Sequence, residues 1–177
     1  MKNILLHLRL PFSFFLLPIY LFALSQVLHI NTAKAWWVFF ILHFLLFPAS
    51  NAFNSYYDKD EGSIALVEVP PVVSKNLLYV SWVMDVMALL LAATVSWIFF
   101  ISVLVYGTIS KLYSHPQFRL KKYAISSFVV VAFFQGAFVC YSSILALANE
   151  TDFVWNDDWT LISMISSCII GASSTIK

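Results

Sequence analysis

Long apolar runs, interrupted by very few charges, constrain this chain more than any other feature of its sequence. Between Asn76 and Tyr113 there are 38 residues, and Asp85 and Lys111 are the only charged side chains among them. Apolar residues make up 61% of the chain and charged residues 11%, whereas a soluble domain carries about 25% charged residues. One small soluble core cannot hide that much apolar surface, so a soluble enzyme, a disordered protein and a coiled coil are excluded. The sequence therefore predicts a membrane protein with several spans.

Six apolar segments approach or exceed the roughly 20 residues that a membrane-spanning helix needs. They cover about residues 10–30, 35–53, 76–95, 97–113, 123–148 and 159–176, and a tight turn near Ser96 separates the third from the fourth. None shows the alternation of polar and apolar residues that is typical of barrel strands, so helices are predicted. We expect a single all-α membrane domain over residues 1–177, with six transmembrane helices and cytoplasmic loops at 54–75 and 114–122.

The basic residues predict the orientation of this bundle. If the N-terminus lies in the cytoplasm, nine of the ten Lys and Arg residues fall on the cytoplasmic side and only Lys34 falls on the other. Because cytoplasmic loops are enriched in Lys and Arg, we expect a multi-pass protein of the cell (inner) membrane with both termini cytoplasmic. The net charge of +1 is no signature of nucleic-acid binding, and no nucleic-acid partner is expected.

A polar segment directly after the second apolar run is the most informative stretch. If the helix continues through it, four side chains share an arc of about 80°, and Asp60 points to the opposite side; the four are Asn51, Asn54, Asp58 and Glu61. Mg²⁺ prefers oxygen ligands and commonly bridges one or two carboxylates to substrate phosphates. The face is therefore suited to a metal–diphosphate site. The alternative is a solvated helix end that Asn54 or Asp58 caps.

The second cytoplasmic loop favours the metal–diphosphate interpretation. Four basic side chains flank its short turn, those of Lys111, Arg119, Lys121 and Lys122. Topology alone also makes such a loop basic. Yet a basic loop on the same side as a helix end rich in amides and carboxylates is what a diphosphate with a divalent cation requires, because Arg and Lys bind phosphate oxygens.

These segments together resemble a known family. The first motif of the UbiA superfamily of intramembrane prenyltransferases is similar to the pattern Asn51-x-x-Asn54-x-x-Tyr57-Asp58-x-x-x-Gly62. This form of the motif most resembles that of the branch that prenylates dihydroxynaphthoate. Ser55 stands where that motif usually has Asp. The segment Tyr113-Ser114-x-Pro116 with Leu120-Lys121 resembles the family's second-loop pattern, and Arg9-Leu-Pro11-Phe12 resembles its opening.

The resemblance implies an enzyme that moves an isoprenyl group from its diphosphate to an aromatic or quinone-type acceptor, with Mg²⁺ as cofactor. Asn54, Asp58 and Glu61 would hold the metal, and Asn54 and Asp58 would be catalytic. Substrate contacts would come from Asn51, Tyr113, Arg119, Lys121 and Lys122. The family fold has nine helices and a second acidic motif after the sixth. The chain is therefore expected to be the N-terminal portion of such an enzyme and inactive alone. The alternatives are a fragment, a truncated reading frame, and one part of a two-part gene product that a C-terminal chain completes.

Asp85 is a separate candidate. It lies about nine residues into the third span, where an ionised carboxylate costs roughly 3 kcal/mol and is usually functional or paired. We predict that it contacts substrate in a cavity; pairing with a neighbouring span and a neutral, protonated state are the alternatives. For the whole chain, the main alternative function is a transporter or non-catalytic membrane protein with six spans. A CDP-alcohol phosphotransferase, suggested by the segment from Asp60 to Ala65, is a weaker one.

Overall fold

A computed structural model describes residues 2–59, 72–148 and 158–173, and every regular element in these ranges is helical. We number eight helices in chain order. They are α1 (Lys2–Leu8), α2 (Leu10–Phe14), α3 (Leu17–Ser25), α4 (Thr32–Asp58), α5 (Lys75–Val95), α6 (Trp97–Ser114), α7 (Ala124–Leu147) and α8 (Asp158–Ser173). A short 3₁₀ turn, Leu120–Lys122, precedes α7. The fold is thus an all-helical bundle.

Four of these helices, α4 to α7, are long and apolar enough to cross a membrane. A fifth crossing results if the bent pair Asn3–Phe14 and Leu17–Ser25 counts as one span. Helix α8 has 16 residues, which gives a length of about 24 Å against the roughly 30 Å of a bilayer core. The described residues therefore contain four or five candidate spans, and the predicted segment 159–176 does not reach full span length within them.

The first predicted span, residues 10–30, is not one straight helix. Arg9 adopts a left-handed conformation with φ of 48° and separates α1 from α2. The axis then bends by 40° before α3. Pro18, near the start of α3, explains this bend, because its ring lacks an N–H and clashes with the carbonyl four residues earlier. The apolar run ends as a helix at Ser25, five residues before the predicted limit.

Helix α4 continues beyond the predicted second span and reaches Asp58. Its middle turn, Ile41–Leu46, is a π-helix, and Pro48 follows it. A π turn widens the hydrogen-bonding pattern locally, and π turns and prolines are both recognised causes of bends in a helix. Helix α7 contains a second π segment at Ala132–Phe138.

Helices α5 and α6 form a hairpin around Ser96, in agreement with the predicted turn. Ser96 has an extended backbone, and its side chain caps α6 by accepting a 3.1 Å hydrogen bond from the Phe99 amide. The hairpin brings Asp85 and Gly107 next to each other, although they lie on opposite sides of the turn. Polar groups on the two helices can therefore pair across the hairpin.

The last described helix packs very closely on α7. A Cβ built on Gly136 would lie 2.3 Å from the Ser167 carbonyl oxygen, and one built on Gly171 would lie 2.9 Å from the Gly136 nitrogen. Such contacts between backbones require glycine, and small residues at helix crossings are typical of membrane bundles. Gly136 therefore permits close helix contact.

Buried apolar side chains from α3 to α7 form one continuous core, with Ile19, Val38, Ala92 and Phe99 fully buried. The outer surface is apolar as well. Leu90 of α5 is 66% exposed and Ile169 of α8 is 68% exposed. A bundle that is apolar both inside and outside suits a lipid environment, in which the bilayer takes the place of water.

Candidate functional site

The polar end of α4 meets the end of α6 and the 3₁₀ turn that follows it. The Oγ of Ser114 donates a 2.7 Å hydrogen bond to the Oδ1 of Asn54. The Nζ of Lys121 donates to the same oxygen at 2.9 Å and also forms an ion pair with Asp58. Two of the residues predicted for the metal therefore share one basic partner from the second loop.

Helix α4 ends directly after Asp58 because the next residue leaves the helical conformation. Lys59 has a φ of 47°, in the left-handed region, and its amide donates a 3.1 Å hydrogen bond to the Ser55 carbonyl. This is the usual way in which a helix closes its last turn, although glycine is the residue that normally does it. The carboxylate of Asp58 is consequently held at the very end of the helix.

A second left-handed residue directs Lys121 towards α4. Arg119 has a φ of 37° and starts the 3₁₀ turn Leu120–Lys122. The turn directs Lys121 inward, whereas Arg119 and Lys122 are exposed. The three basic residues that were predicted to contact substrate therefore differ: Lys121 contacts Asn54 and Asp58, and the other two are free to reach a ligand outside the bundle.

The ion pair between Lys121 and Asp58 is well shielded. Their side chains are only 15% and 19% exposed, respectively. Shielded charges attract each other more strongly than surface charges, and removal of one partner leaves the other uncompensated. Removal of either partner alone is therefore expected to destabilise this end of the bundle.

The oxygens of Asn54 and Asp58 converge on a single cation, the ammonium of Lys121. An amide oxygen and a carboxylate are ligands of the kind that Mg²⁺ accepts, and Mg²⁺ commonly retains several waters and binds phosphate oxygens as well. Among the described residues no group of three or more His, Cys, Asp or Glu side chains is placed to hold a metal. The donor set thus fits Mg²⁺ only as a partial site that needs further oxygens. Glu61, the third predicted ligand, and Asp60 lie outside the described residues.

Two other predicted contacts point elsewhere. The Nδ2 of Asn51 donates a 3.3 Å hydrogen bond to the Leu8 carbonyl, which joins α4 to α1. The hydroxyl of Tyr113 lies 2.7 Å from the Ser127 Oγ, which joins α6 to α7. Asn51 lies three residues before Asn54, and Tyr113 directly precedes Ser114. Each of the two side chains nevertheless bonds to a neighbouring helix.

The opening segment of the chain reaches the same end of the bundle. Arg9 donates a 2.9 Å hydrogen bond from its Nη2 to the Oγ of Ser55, a buried residue on α4. Ser55 occupies the position at which the resembled motif usually has Asp. A guanidinium therefore lies next to this position, three residues before Asp58 on the same helix.

Asp85 does not join this group. Its Oδ2 lies 2.5 Å from the Nζ of Lys111, so it pairs with the neighbouring helix of the hairpin, which is one of the expected alternatives. Both side chains line a cavity of about 320 Å³ between α4, α5 and α6. Phe53 and His115 also line this cavity, and each is the chain neighbour of a residue in the polar site, Asn54 and Ser114 respectively. The cavity and the polar site are adjacent but separate.

Sequence reasoning did not assign a site role to Ser114 or to Lys111 as the partner of Asp85. Ser114 is buried, and it lies in the segment Tyr113-Ser114-x-Pro116 that had been noticed for its pattern. Lys111 follows Asp85 by 26 residues, and a hairpin at Ser96 places such positions near each other. Counting residues outward from Ser96 places Asp85 opposite Gly107, about one helical turn from Lys111, so the count brings the pair near each other without determining the contact.

Neither a protein-family model nor a curated protein nor a solved structure matches this chain. Any functional proposal therefore has to start from the two neighbouring features at this end of the bundle. One is the group formed by Asn54, Asp58, Ser114 and Lys121, and the other is the cavity that contains Asp85 and Lys111.

Proposed function

We propose that this chain is, or belongs to, a Mg²⁺-dependent membrane prenyltransferase that transfers an isoprenyl group from its diphosphate to an aromatic or quinone-type acceptor. The observation that carries the proposal is the convergence of Asn54 and Asp58 on one cation position, with Lys121 beside it. This group lies at the polar end of an apolar bundle. The motif from Asn51 to Gly62, which resembles that of the UbiA superfamily, supports the same activity.

The carboxylate of Asp58 and the amide oxygen of Asn54 would hold Mg²⁺ at the position where they now hold an ammonium. Mg²⁺ bound there would neutralise part of the diphosphate charge and so favour departure of that group. Lys121 would release Asp58 and donate instead to a phosphate oxygen, which keeps its charge within the site. Glu61 would supply a further oxygen ligand.

The two exposed basic residues of the loop would approach the diphosphate from the outside. Arg119 can donate two parallel hydrogen bonds to phosphate oxygens, and Lys122 adds a point charge. Ser114 would act as a positioning residue, because its hydrogen bond to Asn54 fixes the amide oxygen. Tyr113 and Asn51 would border the site. Asp85 belongs to the adjacent cavity, and the proposal assigns it no contact with the diphosphate.

The proposed arrangement in the membrane follows the charge distribution. Six spans, with segment 159–176 as the last, would leave both termini and the polar site in the cytoplasm, where water-soluble diphosphates are made. Lys34, at the start of α4, would lie on the opposite side. The first six helices of the nine-helix family fold would have this arrangement.

Binding of an isoprenyl diphosphate tests the proposal more directly than turnover. The purified chain in detergent is titrated with geranyl diphosphate in Mg²⁺ and again in excess chelator, with calorimetric detection. We expect binding that requires Mg²⁺, is lost in Asp58→Asn, and is weakened at least tenfold in Arg119→Ala. A lost ligand leaves the diphosphate charge uncompensated in a poorly hydrated site.

Lys34→Ala provides the matched control, because it removes a basic residue from the opposite end of α4. Its affinity should equal that of the unmodified chain. Binding that persists in chelator, or an Asp58→Asn variant that binds normally, would refute the metal assignment. No binding at all by a folded chain would count against the prenyltransferase proposal itself.

A further inference from the structure

The cavity between α4, α5 and α6 combines apolar walls with one buried ion pair. At about 320 Å³ it lies at the lower end of the range for small-molecule sites. Leu46, Phe53, Leu89 and Val103 contribute apolar surface. The pair of Asp85 and Lys111 is the polar feature, with side chains 9% and 12% exposed.

This ion pair has hydrogen-bonding capacity that the described residues leave unused. Lys111 Nζ lies 2.5 Å from Asp85 Oδ2, close enough for a charge-assisted hydrogen bond, and within the described ranges neither the second carboxylate oxygen nor the ammonium has a further polar partner. The ammonium instead faces the rings of Phe53 and Trp82, at 5.2 Å and 5.0 Å from their centres. Unmet polar groups this deeply buried are costly, and a ligand that satisfied them would bind favourably.

The charge of the pair selects the kind of ligand. An anion would have to compete with Asp85 for the ammonium, and a cation would have to displace Lys111 from the carboxylate and the two rings. A hydroxyl group displaces neither partner, because it can both donate one hydrogen bond and accept another. It can donate to Asp85 and accept from Lys111 while the pair remains intact.

Gly107 leaves room for such a hydroxyl beside Asp85. A Cβ built on Gly107 would lie 3.8 Å from the Oδ1 of Asp85, which is itself covered, so the missing methyl group leaves space next to this oxygen for a hydroxyl to enter with a small shift of the side chain. The entrance faces outward, because Trp82 and Leu104 line the cavity and are 49% and 45% exposed. In an apolar bundle this entrance opens to lipid, so the ligand must be soluble in the bilayer.

We propose that this cavity binds an uncharged lipid alcohol, whose hydroxyl bridges Asp85 and Lys111 and whose hydrocarbon part fills the apolar walls. The site is independent of the proposed prenyl transfer, because Asn54 and Asp58 do not line the cavity. It adds a second ligand of a different chemical class, which enters from the membrane rather than from water.

Four probes with the same tail and different head groups test this assignment. Decanol, decanoate, decylamine and decane, each carrying two bromine atoms on the tail, are titrated into the purified chain, and quenching of tryptophan fluorescence is measured. Trp82 lines the cavity, so Trp82→Phe identifies the part of the quenching that arises there. We expect the alcohol to bind at least tenfold more tightly than the other three probes at this site.

Gly107→Ala then tests the hydroxyl position. The added methyl group is in ordinary contact with the carboxylate, so the fold should be retained while the space beside the oxygen is filled. We expect at least a tenfold loss of alcohol affinity, with no change for decane. Ser110→Ala, on the same helix but outside the cavity, should bind the alcohol normally.

Several outcomes would overturn the proposal. Equal binding of all four probes would show a purely apolar cavity, and preferential binding of decanoate or decylamine would show that the ion pair opens for a charged group. Unchanged alcohol binding by Gly107→Ala would place the hydroxyl elsewhere. If that variant failed to fold, the comparison of the four probes in the unmodified chain would still decide.

Discussion

Ser114 donates a 2.7 Å hydrogen bond to Asn54, a residue 60 positions earlier in the chain. The bond joins the last residue of α6 to the final turns of α4. If both helices cross a membrane, as their length and composition allow, the contact requires that both end on the same side. The start of α4, with Lys34, would then lie on the other side.

This relationship predicts the outcome of accessibility labelling in intact cells. Single cysteines at positions 59 and 118 should react with a membrane-impermeant reagent from the same side, and a cysteine at position 34 should react from the other. Cys140 and Cys168 are first replaced by alanine, so that the introduced thiol is the one labelled. Positions 59 and 118 labelling from opposite sides would contradict the arrangement of α4 and α6.

Removal of Lys121 should destabilise the bundle, whereas removal of its neighbour should not. Lys121→Met leaves Asp58 shielded and without its cation, so we expect a loss of about 1–3 kcal/mol. Lys122 is exposed, and Lys122→Met should change the stability by less than about 0.5 kcal/mol. Chemical unfolding in detergent measures both. Equal effects would mean that the contact with Asp58 contributes nothing to stability.

The left-handed end of α4 predicts a stabilising substitution. Lys59 has a φ of 47°, a conformation that costs a residue with a Cβ roughly 1–2 kcal/mol and costs glycine almost nothing. After allowance for the greater freedom of glycine in the unfolded chain, Lys59→Gly should gain about 0.5–1 kcal/mol. Lys59→Ala also removes the charge but keeps the Cβ, so it should show no such gain in thermal unfolding.

Two glycines that look alike in the sequence should respond differently to the same change. A methyl group on Gly136 would meet the backbone of α8, so Gly136→Ala should loosen α8 and cost about 1–3 kcal/mol. Gly107→Ala has only ordinary contacts and serves as the control.

Alkylation of Cys168 reports the predicted loosening, because this residue lies in α8 against Gly136. In a Cys140→Ala background, Cys168 should react faster in Gly136→Ala and at an unchanged rate in Gly107→Ala. Identical labelling rates in the two variants would show that α8 does not depend on the close contact.

The boundaries of α5, α6 and α7 follow the sequence prediction within a residue or two, because their apolar runs are uninterrupted and end in polar or turn-forming residues. Ser96 is an example, since a single capping residue marks the turn. The sequence also predicted that the polar end of α4 and the basic loop 114–122 lie at the same end of the bundle, because the distribution of Lys and Arg along the chain indicated it.

Other features depend on tertiary contacts that no local pattern encodes. The pairing of Asp85 with Lys111 depends on the rotation of two helices about their axes. That Asp58 pairs with Lys121 and not with Lys122 depends on one backbone turn at Arg119. The break between α1 and α2 at Arg9, directly before the first apolar run, was not predicted because an arginine carries no signal for a left-handed conformation. Residue types indicated which segments meet at this end of the bundle, but not which side chains contact each other.

The π segment of α4, Ile41–Leu46, also sets the rotation of the residues that follow it about the helix axis. An ordinary α-helix advances about 100° per residue, and a π turn absorbs roughly one extra residue without passing that rotation on. If Ile41–Leu46 were wound as an α-helix, Asn54 and Asp58 would be rotated by about 100° relative to the N-terminal half of α4. The two oxygens would then face away from the loop that carries Lys121. The direction in which Asn54 and Asp58 face is therefore determined by a turn in the middle of α4, several residues before the polar site.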